Sequence, residues 1–221
     1  MILPKGVNAM KQHTLAVYGD SISLDDYEGG GWPRKIQSLL DFEKVYNHAI
    51  GASGLSASTP NNTVRLLDDP KNLHSDADLV IIWHGTNDWY WGAPVGNAAD
   101  TGEDTFAGAM HAAVRKLRQV NPEVKIIWMT PIFRHQPPDQ SDSTAEAWES
   151  KNKAGFTMKD YDGMIWEQSN RLTFPVIDLR RLTNFSMENK HIYYRDIAHP
   201  SEPGFERIAD LIARHLKQWY W

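Results

Sequence analysis

The sequence predicts an α/β fold, a three-layer α/β/α sandwich around a central, mostly parallel sheet. Three observations predict it. Short apolar runs recur along the chain and are separated by stretches with apolar residues at helical spacing. Parallel strands need crossover connections, so this alternation places helices on both sheet faces. The clearest run, Ala77 to Trp83 (ADLVIIW), is continuously apolar after its acidic second residue, as a strand buried on both faces should be.

The elements follow in order. His13 to Tyr18 (HTLAVY) is a buried strand ending at a glycine. Trp32 to Leu40 carries apolar residues at 32, 36, 39 and 40 after Gly29-Gly30-Gly31, with Pro33 in the first turn, and predicts a helix. Lys44 to Ile50 is a second strand stopped by Gly51, and Ala77 to Trp83 the third. Phe106, Met110, Ala113, Val114 and Leu117 predict an amphipathic helix over about 103–119, ended by Asn121-Pro122. Val124 to Met129 is a strand, Asp160 to Asn170 a helix and Phe174 to Leu179 a further strand. Phe205, Ile208, Ala209, Ile212, Leu216 and Trp219 line one face of a C-terminal helix.

The 221 residues suit one domain over 1–221, with a long polar loop at about 134–158 on the side of the site. With 41% hydrophobic and 23% charged residues, neither wholesale disorder nor a fibrous repeat fits. The absence of cysteine excludes disulfides, thiolate metal sites and cysteine nucleophiles. A net charge of −5 argues against nucleic acid as a partner. The N-terminus lacks a basic start and an apolar signal run, and no stretch approaches the roughly 20 apolar residues of a membrane span. The expected location is cytoplasmic, with no membrane partner.

In open α/β sheets the ligand sits beyond the carboxyl ends of the strands. After the first strand comes Gly19-Asp20-Ser21, and after the second Asn47 to Gly54 (NHAIGASG). Gly85-Thr86-Asn87-Asp88 follows the third, and Asp196-Ile197-Ala198-His199-Pro200 precedes the last helix. Each alone reads as an ordinary turn. Together they contain the parts of an acyl-transfer site. A serine hydroxyl needs a base, and His199 can supply it for Ser21. A carboxylate three residues away, Asp196, can fix the tautomer of that base. The Ser21 N–H, a glycine-rich-loop N–H and the Asn87 amide can donate to an oxyanion.

This set resembles the SGNH hydrolases, also called GDSL lipases and esterases. The matching residues are GDSI at 19–22, the N-x-A-I-G stretch at 47–51, GTND at 85–88 and DIAHP at 196–200. The resemblance implies a flavodoxin-like SGNH fold and a hydrolase with no cofactor and no metal. It implies Ser21 as nucleophile, His199 as base, Asp196 as its orienting acid and Asn87 as the side-chain oxyanion donor. The family spacing counted from Asn47 lands on Ala52, where a glycine is usual. Gly54 is the favoured loop donor, with Gly51 allowing close approach and a neighbouring backbone N–H as the alternative.

Other chemistries fit less well. There is no Gly-x-Ser-x-Gly elbow, and Ser150 to Lys153 matches Ser-x-x-Lys without its companion motifs. His48, His84 and His199 have no metal-ligand spacing, and His84 reads as a supporting donor behind the site. Asp20 and Asp88 suggest turn-holding carboxylates over a glycosidase pair. Trp32, Trp89 and Trp91 flank the strand-end motifs and are candidate platforms for a sugar ring, with core or interface packing as the competing role. The expected substrate is a small-molecule or oligosaccharide ester, most simply an acetyl group on a carbohydrate or other small alcohol. A thioesterase or lysophospholipase on the same scaffold and a non-catalytic carbohydrate-binding relative are the alternatives. The terminal Gln218-Trp219-Tyr220-Trp221 suggests a contact surface and a homo-oligomer.

Overall fold

The computed structural model describes residues 13–135 and 146–220. Five parallel strands form one sheet: β1 (Thr14–Gly19), β2 (Lys44–Asn47), β3 (Leu79–Trp83), β4 (Lys125–Met129) and β5 (Val176–Ile177). Their order is β2-β1-β3-β4-β5, in register from Thr14 opposite Lys44 to Met129 opposite Ile177. Eight α-helices accompany them among the described residues. Four are long enough to cover the sheet: α1 (Gly31–Leu39), α4 (Phe106–Val120), α5 (Met158–Leu172) and α8 (Glu202–Tyr220). Four are single turns or little more: α2 (Thr63–Leu66), α3 (Thr86–Trp91), α6 (Leu179–Leu182) and α7 (Lys190–Tyr193). The α/β/α architecture is therefore as expected, and the sheet is wholly parallel among the described residues.

Strand side chains alternate between two cores, as a period of two requires. Ala16 and Tyr18 of β1 join Val80 and Ile82 of β3 against Phe106 and Met110 of α4 and Tyr161 and Ile165 of α5. Leu15, Val17 and Ile81 face the other way, onto Trp32 and Ile36 of α1 and Phe205, Ile208 and Ile212 of α8. Burying each such large apolar side chain contributes about 1.5–3 kcal/mol. Both sheet faces are thus covered, and the open edge is the one where the strands end.

Boundaries differ from the sequence reading for local chemical reasons. β2 ends at Asn47, whose side-chain oxygen takes the Ala49 N–H at 3.1 Å, although the His48 and Ile50 N–H groups still donate to the Val17 and Gly19 carbonyls of β1. β5 is only two residues long: Pro175 has no N–H, and the Asp178 carboxylate caps α6 by accepting from Arg181 N–H. α5 begins two residues early because Asp160 accepts from the Thr157 N–H at 2.7 Å, a capping-box contact. Of the loop expected at 134–158, residues 136–145 lie outside the described residues. The part from 146 onward is tied down: the Ala147 N–H donates to the Arg134 carbonyl, and Asn152 bonds to the Trp89 carbonyl and the Tyr161 hydroxyl. Trp221 also lies outside the described residues, while Trp219 is exposed and packs edge-on against His215. Among the described residues, no helix is long and apolar enough to cross a membrane.

Candidate active site

Ser21 stands two residues beyond the β1 end, at the start of a single 3-10 turn, Ser21–Ser23. Asp20 caps that turn, its carboxylate accepting the Ile22 N–H at 2.9 Å. Behind it, Gly19 is fixed by contact, since a Cβ there would lie 2.5 Å from Ser23 Oγ. Asn47 braces the turn from the side by donating to the Ser23 carbonyl and to Asp25 Oδ1, both at 2.8 Å. The serine is therefore placed by backbone and packing from β1 and β2 together.

The loop between α7 and α8 brings the histidine to it. An isolated antiparallel bridge between Tyr194 and Pro200 closes this loop, and the Arg195 N–H donates to the His199 carbonyl at 3.0 Å. Asp196 folds the interior: its Oδ1 accepts the Ala198 N–H at 2.8 Å and the His199 N–H at 2.7 Å. The same carboxylate faces His199 Nδ1, with Oδ2 at 2.9 Å. His199 Nε2 is 2.9 Å from Ser21 Oγ. Because the carboxylate can only accept, Nδ1 carries the proton and Nε2 is left to accept from the hydroxyl. Burial would raise the Asp196 carboxyl, but the two backbone N–H groups and His199 hold it below its ordinary value. Tyr27 backs the imidazole at 6.2 Å between ring centres, and its own ring lies under the Arg195 guanidinium.

Facing them is the start of α3. Asn87 is buried, and its amide donates to the Ser53 carbonyl at 3.0 Å, which ties α3 to the loop after β2. Asp88 secures the same junction by accepting the Leu55 N–H at 2.9 Å and the Ser56 N–H at 3.0 Å. Burial pushes the Asp88 carboxyl up to about 6, against the pull of those N–H groups. Asp20 is pushed up to about 7 by burial; the Ile22 N–H and Arg134 lower it, and Asp88 adds to the rise. Both aspartates hold backbone turns, as expected. His84 is buried and bonds through Nε2 to the Thr63 hydroxyl at 2.7 Å, and burial holds it down at about 3, so it stays neutral. His48 pairs instead with His74 at 2.6 Å.

An assembly of this kind lets an imidazole take a proton from the hydroxyl as it attacks a carbonyl carbon, with the carboxylate stabilising the imidazolium. A sequence profile of the GDSL-like Lipase/Acylhydrolase family matches residues 17–207, which span every group just described. The chain belongs to that family. Solved structures agree in fold. A protein from Lactobacillus plantarum aligns with a TM-score of 0.82 at 22% identity, covering 95% of this chain and 99% of its own. A possible lipase from Chitinophaga pinensis aligns at 0.71 and 23% identity, covering 93% and 98%. The lipase/acylhydrolase from Enterococcus faecalis aligns at 0.59 and 19% identity, covering 94% and 96%. No curated protein matches the chain. This GDSL-family chain is accordingly a hydrolase of the ester-cleaving type.

Two of the three candidate sugar platforms are corrected by the structure. Trp32 and Trp89 are 0% exposed, so neither offers a face to a ligand. The Trp32 indole donates to Ser23 Oγ at 3.2 Å beneath the Ser21–Ser23 turn, and the Trp89 indole donates to the Ser150 carbonyl at 2.9 Å. For Trp89 the reason is α3: the turn expected at Gly85–Asp88 continues as a short helix over Thr86–Trp91, which swings Trp89 inward. Trp91 remains partly exposed, its indole donating to the Ala52 carbonyl at 2.8 Å. Trp89→Ala should therefore cost about 3–5 kcal/mol of stability, a fall in Tm of roughly 10 °C or more, whereas Trp91→Ala should leave Tm nearly unchanged. A thermal melt reads both. An unaltered melt for Trp89→Ala accompanied by a raised KM would restore the platform role.

Sequence reasoning also passed over Arg134, Tyr27 and the bracing role of Asn47. Arg134 follows a strand end, the one signal that could have drawn attention to it.

Proposed function

We propose that this GDSL-family hydrolase is a serine esterase that removes short acyl groups, acetyl first among them, from a small polar alcohol such as a carbohydrate. The observation that carries the proposal is the unbroken line from Ser21 Oγ through His199 to Asp196, with both contacts at 2.9 Å. In this reading Ser21 attacks the ester carbonyl while His199 takes its proton and passes it to the departing alcohol. Water then hydrolyses the acyl-enzyme with His199 acting first as base and then as acid.

Three donors meet the oxyanion: the Ser21 N–H, the Asn87 amide and a loop N–H. Gly54 has a different reason to be glycine, since a Cβ there would lie 2.5 Å from Thr59 Oγ1, and its carbonyl accepts the Thr63 N–H. Ala52 is the better candidate. It is exposed, has a left-handed φ of +60°, and its carbonyl is held by Trp91. An L-residue in that conformation carries about 1–3 kcal/mol of strain, a sign of a backbone aimed for a purpose. Asn87→Ala should then lower kcat about 100-fold or more with little change in KM, because the oxyanion exists only near the transition state. A loss confined to KM would assign Asn87 to ground-state binding.

A short acyl group is favoured because Trp32 and Trp89 fill the space behind the serine turn and behind α3. Hydrolysis of p-nitrophenyl esters of two, four, eight and twelve carbons tests this. The proposal expects turnover to fall steeply beyond four carbons. A preference for eight or twelve would favour a lipid or thioester substrate, and inactivity on all four together with sugar binding would favour the binding relative.

A further inference from the structure

Arg134 is an arginine buried to 7% exposure, five residues beyond the end of β4. Its Nη1 donates to Thr86 Oγ1 at 3.1 Å. Its guanidinium lies 5.5 Å from the Trp89 ring and 4.8 Å from the Tyr90 ring. All three partners belong to α3, and Asn87 sits among them. A helix of six residues is too short to hold itself, so its orientation is set by what grips it. Arg134 grips it at its first, fourth and fifth positions. Burial disfavours the charge of Arg134, while the charges of Asp20, the residue before Ser21, and of Asp196 favour it.

Packing alone would be satisfied there by an apolar side chain of similar length, and burying a guanidinium is costly unless its charge is answered. The geometry points to Arg134 as a positioning residue for catalysis: it clamps α3 so that the Asn87 amide is aimed at the oxyanion. This rests on the reading of Ser21 as nucleophile and Asn87 as oxyanion donor.

The test is a double-mutant cycle on p-nitrophenyl acetate, with kcat expressed per active site titrated by a fluorophosphonate. Arg134→Met should lower kcat about 30-fold with KM changed less than about threefold, the scale of loss expected from a misaimed catalytic group. Arg134→Lys keeps the charge and should recover a substantial part of that loss; it also carries the test if the methionine variant does not fold. In an Asn87→Ala background either substitution should cost less than about threefold more, because the group it aims is gone. A merely structural role would lower Tm and leave kcat per titrated site unchanged, which would overturn the inference. So would a full, additive loss in the Asn87→Ala background, or a loss confined to KM. Ser21→Ala assayed alongside separates the two levels: activity surviving there defeats the site itself, whereas a dead Ser21→Ala beside an unaffected Arg134→Met defeats only the clamp.

Discussion

Ser21→Ala is expected to lower ester turnover by about 10⁶ while leaving the melting temperature within a few degrees of the native value. The size follows from what the hydroxyl does. Without Oγ there is no acyl-enzyme, and the remaining oxyanion donors can accelerate only direct attack by water, a residual of about 10³–10⁴ over the uncatalysed reaction. The harmlessness to the fold follows from what Oγ does not do. It bonds to His199, while the turn around it is held by the Asp20 carboxylate, the Asn47 amide and Trp32 through Ser23. Assay on p-nitrophenyl acetate beside a thermal melt decides the matter; native turnover in the variant would end the proposal.

Asp196→Asn is expected to cost about 10⁴ in kcat, again with modest effect on KM. Three donors converge on this carboxylate: the N–H groups of Ala198 and His199 at Oδ1, and His199 Nδ1 at Oδ2. An asparagine has one acceptor oxygen for them. If that oxygen keeps the backbone turn, the amide NH₂ faces Nδ1, which must give up its proton and accept. The proton then sits on Nε2, and the base has no lone pair for the Ser21 hydroxyl. If the oxygen turns to the histidine, the loop loses its internal cap. Either way the imidazole loses the negative charge that stabilises its protonated form. The expected signature is a kcat loss that persists across pH 6–9, because the tautomer is set by hydrogen bonding and not by titration; a kcat within tenfold of native across that range would show that Asp196 does not orient the base.

The fold was legible because its strongest signals are local and repeated. Continuous apolar runs such as Leu79–Trp83 and the stripe of Phe205, Ile208, Ile212 and Leu216 correspond to β3 and to the buried face of α8. The rule that ligands gather beyond the strand ends points to Ser21 and Asn87, and the Asp-x-x-His pattern just before the last helix points to His199. What was not legible depends on short elements and on burial. α3 is too short to show a period, so the sequence leaves the platform and core roles of Trp89 both open, and burial decides for the core. Trp32 follows a glycine run that reads as loop, yet its indole closes the floor beneath Ser23. Gly54 and Ala52 could not be separated by spacing, because the distinction rests on backbone conformation: Thr59 packs against one, and the other adopts a left-handed φ. Arg134 is invisible as a motif, since its meaning comes from partners that lie more than 40 residues away in sequence.

The central claim is that Ser21 is the nucleophile of a triad completed by His199 and Asp196, and a fluorophosphonate reads it directly. Intact-mass measurement followed by peptide mapping should show one adduct per chain, placed on Ser21. Labelling should be lost in Ser21→Ala and slowed by at least 100-fold in His199→Ala, where the hydroxyl has no base. An adduct on another serine, or undiminished labelling of Ser21→Ala, would contradict the account.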